Sequence, residues 1–320
     1  MTENKELELE SEITEEQEME DIKIQGVFLF LTTIHSLDPL SDEEFGEVIR
    51  AVANYAETGV LPELDDGHSA AMLNFLKWQV DRDIERYKKV VLKLSHVFSP
   101  DEQLYKSMEL VAERINKKTN GRVEIQCFGQ NQLACYKDGL EQVANGANFI
   151  SVEDPSYLGD YVPDFKPLVG PMLYQSYDEY EKMIETPLVK DMEKKAEEKG
   201  IKVLALDYIF GFRNVMTNKV ITKPEDMKGL KLRTPGSKLF IDTINAMGAT
   251  ATSLPFSETL SGVSQGVVDG LEGSEFTNIG TKCYEHVKNV ATTKHFLGTC
   301  GVYISTKVFN SLSPEDQKIV

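Results

Sequence analysis

VVLKLSHVFSPDEQLYKSMELVAERINKKTNGRVEIQCFGQNQLACYKDGLEQVANGANFISV, residues 90–152, decides the fold. VVLKLSHVF reads as a strand, and residues 101–121 carry the three-to-four spacing of an amphipathic helix closed by Gly121. RVEIQCF, residues 122–128, predicts a second strand. YKDGLEQVANG, residues 136–146, predicts a second helix before the apolar ANFISV. Strands alternating with helices imply parallel pairing through helical crossovers, because parallel neighbours cannot be joined by a tight turn.

The same grammar resumes after a Tyr- and Pro-rich stretch from Pro155 to Tyr177. LVKDMEKKAEEKG precedes IKVLALDYI, PEDMKG precedes LKLRTP, and alternation continues through SKLFIDTINAMGA, ATSLPF, SETLSGVSQGVVDG and HFLGTCGVYIS. A restart after a break predicts two α/β lobes. The expected division is lobe I at about 90–153 and 274–320, and lobe II at about 154–273.

Between residues 22 and 89 the pattern is helical. Residues 1–21 hold ten acidic side chains and little to bury, as in a solvated tail. Residues 22–89 predict a small all-α module. Val27, Phe30, Leu31 and Ile34 suit a short helix; Ser41 with Glu44 is a capping-box signature ahead of Phe45, Val48, Ile49, Val52 and Tyr55. Gly59 and Pro62 stop that second helix. A third is expected over Ala70–Lys89, with Met72, Leu73, Leu76, Val80 and Ile84 inward.

The formal charge of -18 is unevenly spread, since residues 1–89 contain 8 basic against 22 acidic side chains. No basic surface remains that could track a phosphate backbone, which argues against nucleic-acid binding. The four cysteines form no CxxC pair, no stretch approaches the roughly 20 apolar residues that span a bilayer, and the acidic start is unlike an export signal.

Taken in order, SHVFSPDEQLYKSMELVAERINKKTNGRVEI, NQL followed by YKDGLEQVANG, GFRNVMTNK, TKPEDMKGLKLRTPGS and FSETLSGVSQGVVDGLEG resemble the substrate-binding subunit of tripartite ATP-independent periplasmic (TRAP) transporters, dicarboxylate-receptor type. The resemblance covers residues 90–320. It implies a two-lobed type II periplasmic-binding-protein fold closing on a small carboxylate, an extracytoplasmic location, and handover to separate membrane permease subunits without direct membrane insertion. Family members begin with an export signal and continue beyond PEDQKIV with helices that pack on the first lobe, so the resemblance implies a C-terminal truncation here. LSDEEFGEVIRAVANYAETGVLPEL and MLNFLKWQVDRDIERY resemble a phage-associated bacterial module of unknown function.

Holding a carboxylate away from water calls for a planar, permanently charged fork, which only arginine provides. Arg233 ends the apolar strand LKLR before Thr234-Pro235-Gly236, at the strand terminus where open α/β clefts bind ligands. Spacing alone would leave it a surface arginine; the resemblance assigns it the carboxylate clamp. Arg213 in GFR is the second candidate, with an inter-strand salt bridge as its structural alternative. Glu272 could orient an arginine or accept a ligand hydroxyl, and Gly273 stands where many relatives carry Asn or Asp. Tyr157, Phe212, Phe210 and Tyr208 are candidates to close over the ligand.

Two patterns compete with a binding function. Gly262-Val263-Ser264-Gln265-Gly266 satisfies GxSxG and would make Ser264 the nucleophile of a serine hydrolase, but it lies in a helical run with Leu260, Val263 and Val267 as its apolar stripe, and an elbow must follow a strand. Cys283, His286, His295 and Cys300 suggest a zinc site without a standard spacing, so buried thiols are expected instead. With no Gly-rich nucleotide fingerprint, no cofactor is expected. A third alternative treats residues 22–89 as an interaction module carrying the rest as passenger.

Overall fold

The computed structural model describes residues 41–58, 60–64, 69–71, 73–74, 76–77 and 89–320. The chain divides into two compact units, Met1–Lys88 and Lys89–Val320.

In the first unit, α1 (Asp42–Thr58) starts at a reciprocal cap. The Ser41 amide donates to Glu44 Oε2 at 2.8 Å and the Glu44 amide to Ser41 Oγ at 3.4 Å, satisfying donors that a helix start leaves orphaned. Val48, Ala51, Val52 and Tyr55 form a buried stripe that meets Leu73 and Leu76 of the helical stretch near residues 69–77. The acidic tail, the helix expected near Val27–Ile34 and most of the expected third helix lie outside the described residues.

The second unit is built on one mixed sheet. β1 (Val90–Ser95), α2 (Gln103–Lys118), β2 (Val123–Phe128), α3 (Tyr136–Ala144) and β3 (Phe149–Glu153) form the β-α-β-α-β run that opens the unit, and β1 pairs in parallel with both β2 and β3. A 3-10 turn, Pro155–Asp160, and α4 (Phe165–Leu168), α5 (Tyr177–Ile184) and α6 (Pro187–Glu198) lead into β4 (Ile201–Thr217). Next come β5 (Lys231–Thr234), α7 (Lys238–Ala246), β6 (Thr250–Ser253), α8 (Thr259–Ser264), β7 (Gly270–Gly273) and α9 (Glu275–Gly280). The chain then runs back through β8 (Asn289–Ser305) to α10 (Thr306–Ser311) and α11 (Pro314–Ile319). The strand order is β2-β1-β3-β8-β4-β7-β5-β6.

β4 and β8 explain the shape of this sheet. Each is 17 residues long, and they pair antiparallel from Ile201↔Ser305 to Thr217↔Asn289. β8 pairs with β3 through Gly301–Ile304 while β4 pairs with β7 through Asn214–Thr217, so the two long strands join two halves of one sheet. Each half has apolar clusters on both faces. In the first half, Leu140, Val189 and Tyr303 belong to one cluster, and Leu92, Met108 and Val302 to the other. The second half is held by one cluster around Leu232 and Ile244 and another around Leu271 and Val268.

The lobe limits expected at residues 153 and 273 move accordingly. Tyr180, Val189, Met192 and Ile201 share a core with Leu140 and Phe149, so α5 and α6 pack on the first half. The passage from one half to the other lies inside β4 and β8. Val263 is buried as expected, whereas Val267 is 48% exposed and Val268 takes its place inside.

Candidate functional site

Three strands converge at the junction of the halves, two of them by their ends. Glu153 closes β3, Arg233 is the penultimate residue of β5, and the interior of β4 brings Arg213 from the second half. Together with Asp154, Tyr157 and Phe210 these residues line a cavity of about 60 Å³. That volume exceeds the roughly 10–15 Å³ that one water requires, leaving room for a small polyatomic solute. The halves already touch around it. The Phe256 amide donates to the Tyr136 hydroxyl at 2.9 Å, Ser156 Oγ and Ser237 Oγ are 3.2 Å apart, and Ser99 Oγ donates to the Gly280 carbonyl at 3.1 Å.

Arg213 is fully engaged. Its Nε and Nη2 donate to the two Glu272 oxygens at 2.8 and 2.5 Å, a bidentate geometry that suits both groups. His295 Nε2 stands 3.4 Å from the same carboxylate, with its Nδ1 2.8 Å from Thr293 Oγ1. Burial alone would push Glu272 up, but the Arg213 charge and the hydrogen bonds from His295 and Arg213 hold it down at about 2. Burial likewise works against the Arg213 cation, and the Glu272 charge overcomes it, so Arg213 is raised. Its guanidinium also lies 4.8 Å from the Phe240 ring centre.

Arg233 differs in every partner. It is 2% exposed, its Nε donates to the Leu254 carbonyl at 3.0 Å, and its guanidinium sits 5.4 Å from the Phe256 ring centre. No carboxylate among the described residues forms a salt bridge with it, and its buried Nη2 has no partner. Burial first, with Arg213 adding to it, lowers its pKa. Tyr157 and Thr299 place two more buried, unpartnered hydroxyls on this cavity.

The first half supplies an acidic wall that sequence reasoning missed. Glu153 is 3% exposed, and its Oε1 accepts from the Tyr136 amide at 2.5 Å; burial pushes this carboxyl up to about 8. Asp154 accepts from the Ser156 amide at 2.8 Å and is also raised by burial. The available signal was position: two successive carboxyls, the first closing the mostly apolar strand FISVE, at the end that opens onto the cleft.

Phe212 is placed elsewhere than expected. It stacks on Tyr177 at 5.6 Å, outside the cavity, and Lys294 Nζ lies 5.3 Å from its ring centre. The cause is a register shift between Ile209 and Gly211, with Gly211 at φ +99°. An extra residue there breaks strict alternation, so Phe210 and Arg213 share the cavity while Phe212 turns away. Tyr208 lines a neighbouring cavity instead. An added Cβ at Gly273 would come within 3.2 Å of the Thr277 methyl, so Thr277 fills the space that a larger residue would need.

Neither competing pattern acquires the geometry it requires. Ser264 is the exposed last residue of α8, and its Oγ donates to the Ser261 carbonyl at 3.0 Å, unlike a nucleophile on a strand-to-helix elbow. Cys283 and Cys300 are buried, His286 is exposed, and no metal-holding group of three or more such side chains occurs among the described residues.

Comparison with known proteins places this cleft in a context. Residues 94–320 match the family described as bacterial extracellular solute-binding protein, family 7, and residues 27–122 match a family of unknown function. The chain is 66% identical to a TRAP periplasmic solute binding protein from Desulfovibrio salexigens solved in complex with diglycerolphosphate. That match has a TM-score of 0.71 and covers 72% of this chain and 75% of that one. A TRAP periplasmic solute binding protein from Fusobacterium, solved with bound sn-glycerol-3-phosphate, is 51% identical, with a TM-score of 0.71 over 72% and 74% of the two chains. The C4-dicarboxylate-binding periplasmic protein of Rhodobacter capsulatus is 32% identical over 65% of this chain, which spans 63% of that relative's length.

Proposed function

The chain belongs to the bacterial extracellular solute-binding proteins of family 7, and from that premise we propose that its cleft captures a small anionic solute, with the anionic head on Arg233, for handover to TRAP permease subunits. The family binds solutes and does not transform them, so capture is reversible. One observation carries the reading: a buried guanidinium whose Nη2 has no partner and with which no carboxylate among the described residues forms a salt bridge. Leaving a buried cation unpaired costs several kcal/mol, and an incoming anion that forms charge-assisted hydrogen bonds offsets that cost. Arg213, neutralised by Glu272, supports the site by holding β4 against β7.

A carboxylate and a phosphate monoester both satisfy this fork. The solutes in the two solved relatives favour a phosphorylated polyol over the small carboxylate first expected. Calorimetry with sn-glycerol 3-phosphate on wild type and Arg233→Lys tests the assignment. Lysine keeps the charge and loses the fork, so affinity should fall about tenfold or more, the worth of one or two hydrogen bonds to a charged group. Unchanged affinity in a folded Arg233→Lys protein removes Arg233 as the anion-binding group.

A further inference from the structure

The wall that faces the anion-binding arginine has a chemistry of its own. Glu153 and Asp154 line the same cavity as Arg233, and each has one oxygen held by a backbone amide. Neither forms a salt bridge among the described residues. The unpartnered hydroxyls of Tyr157 and Thr299 lie on the same lining, which the first half supplies without lysine or arginine. This end of the cavity therefore offers carboxyl acceptors and hydroxyl groups able to donate or accept.

We propose that Glu153 and Asp154 make the cleft select solutes with one anionic head and hydroxyls at the far end, and reject solutes that are anionic at both ends. The inference rests on Arg233 as the anion-binding group and adds what the rest of the solute must be. A hydroxyl fits this wall twice over, donating to a free carboxyl oxygen while accepting from Tyr157 or Thr299. A second carboxylate or phosphate needs a cation or a cluster of N–H donors to replace its water. Here it would meet two carboxyls and no lysine or arginine from the first half, so nothing on this wall replaces the water that a second anion gives up. Burial pushes the Glu153 carboxyl up to about 8, so at neutral pH it meets a solute hydroxyl as an uncharged hydrogen-bonding partner.

Titrating the full chain with sn-glycerol 3-phosphate, inorganic phosphate and succinate under one set of conditions tests this. Glycerol 3-phosphate should bind at least about tenfold tighter than either of the others, the effect of one hydrogen bond involving a charged group. In a Glu153→Gln, Asp154→Asn double variant the preference over succinate should shrink by about tenfold or more. Asp154→Asn alone, at the more exposed position, should shift the ratio the same way if the double variant fails to fold. Equal binding of succinate and glycerol 3-phosphate by wild type overturns the inference and leaves the Arg233 site standing. So does an unchanged ratio in a folded variant. Failure of all three probes to bind overturns both.

Discussion

Arg213 on β4 and Arg233 on β5 reach one cavity, are 8% and 2% exposed, and differ in what faces them. The first is clasped by Glu272, which His295 also approaches; the second has one backbone carbonyl and an aromatic ring. Burial of charge is thus no guide to function on its own. Compensation separates a guanidinium that closes a structure from one that awaits a ligand.

The strongest way to break this contrast is to delete each cation without changing bulk greatly. Arg213→Met strands the Glu272 carboxylate in the interior and should cost about 3 to 5 kcal/mol, the usual penalty for breaking a buried pair. Arg233→Met removes a charge that no salt bridge among the described residues compensates, so stability without solute should hold or rise while anion binding disappears. Urea unfolding of both variants, compared at constant m, decides the matter. Equal destabilisation would mean that the arginines are not different in kind.

Acid and base titration sharpens the same contrast through the carboxyls. Glu272 is depressed from 4.5 to about 2, so its contribution is fully present above pH 4.5 and is lost as pH falls toward 2. Glu153 is raised from 4.5 to about 8, so its contribution is complete below pH 4.5 and is lost as pH rises through 8. Thermal midpoints measured across both windows should fall at each end. Glu153→Gln should flatten only the upper limb, and a limb that persists in that variant assigns it to another group.

The smallest expected effect tests the register shift. Phe210→Ala removes a wall of the cavity and should weaken anion binding by less than about tenfold, given the modest worth of ring contacts near a cation. Phe212→Ala should leave affinity unchanged and lower stability through the lost stack on Tyr177. Calorimetry that finds the reverse pattern would restore simple alternation along β4.

Much of the frame was legible because local periodicity encodes it. The alternation in residues 90–152 predicted β1 to β3 and both intervening helices, and LKLR placed Arg233 at the end of a strand. What escaped depended on contacts far apart in sequence. IKVLALDYI read as a strand of its own, short of the full β4, because register shifts interrupt the period of two that marks a strand. Glu272 meets His295 only through the fold, and an anion receptor gives no reason to look for acids such as Glu153. Phe212 looked equivalent to Phe210 because nothing local announces a reversal of facing beyond Gly211 itself.

That crossing point has a further meaning for connectivity. Gly211 on β4 is the direct pairing partner of Gly298 on β8, and an added Cβ at Gly298 would press within 2.6 Å of the Phe210 ring. The chain therefore leaves the first half and rejoins it at adjacent points of one antiparallel ladder. Topologically, residues 212–297 are an insertion in a five-stranded domain, while that host domain is discontinuous. A two-residue turn joining positions 211 and 298 would convert the remaining strand segments into a hairpin. Excision as a continuous piece is open to the inserted half alone.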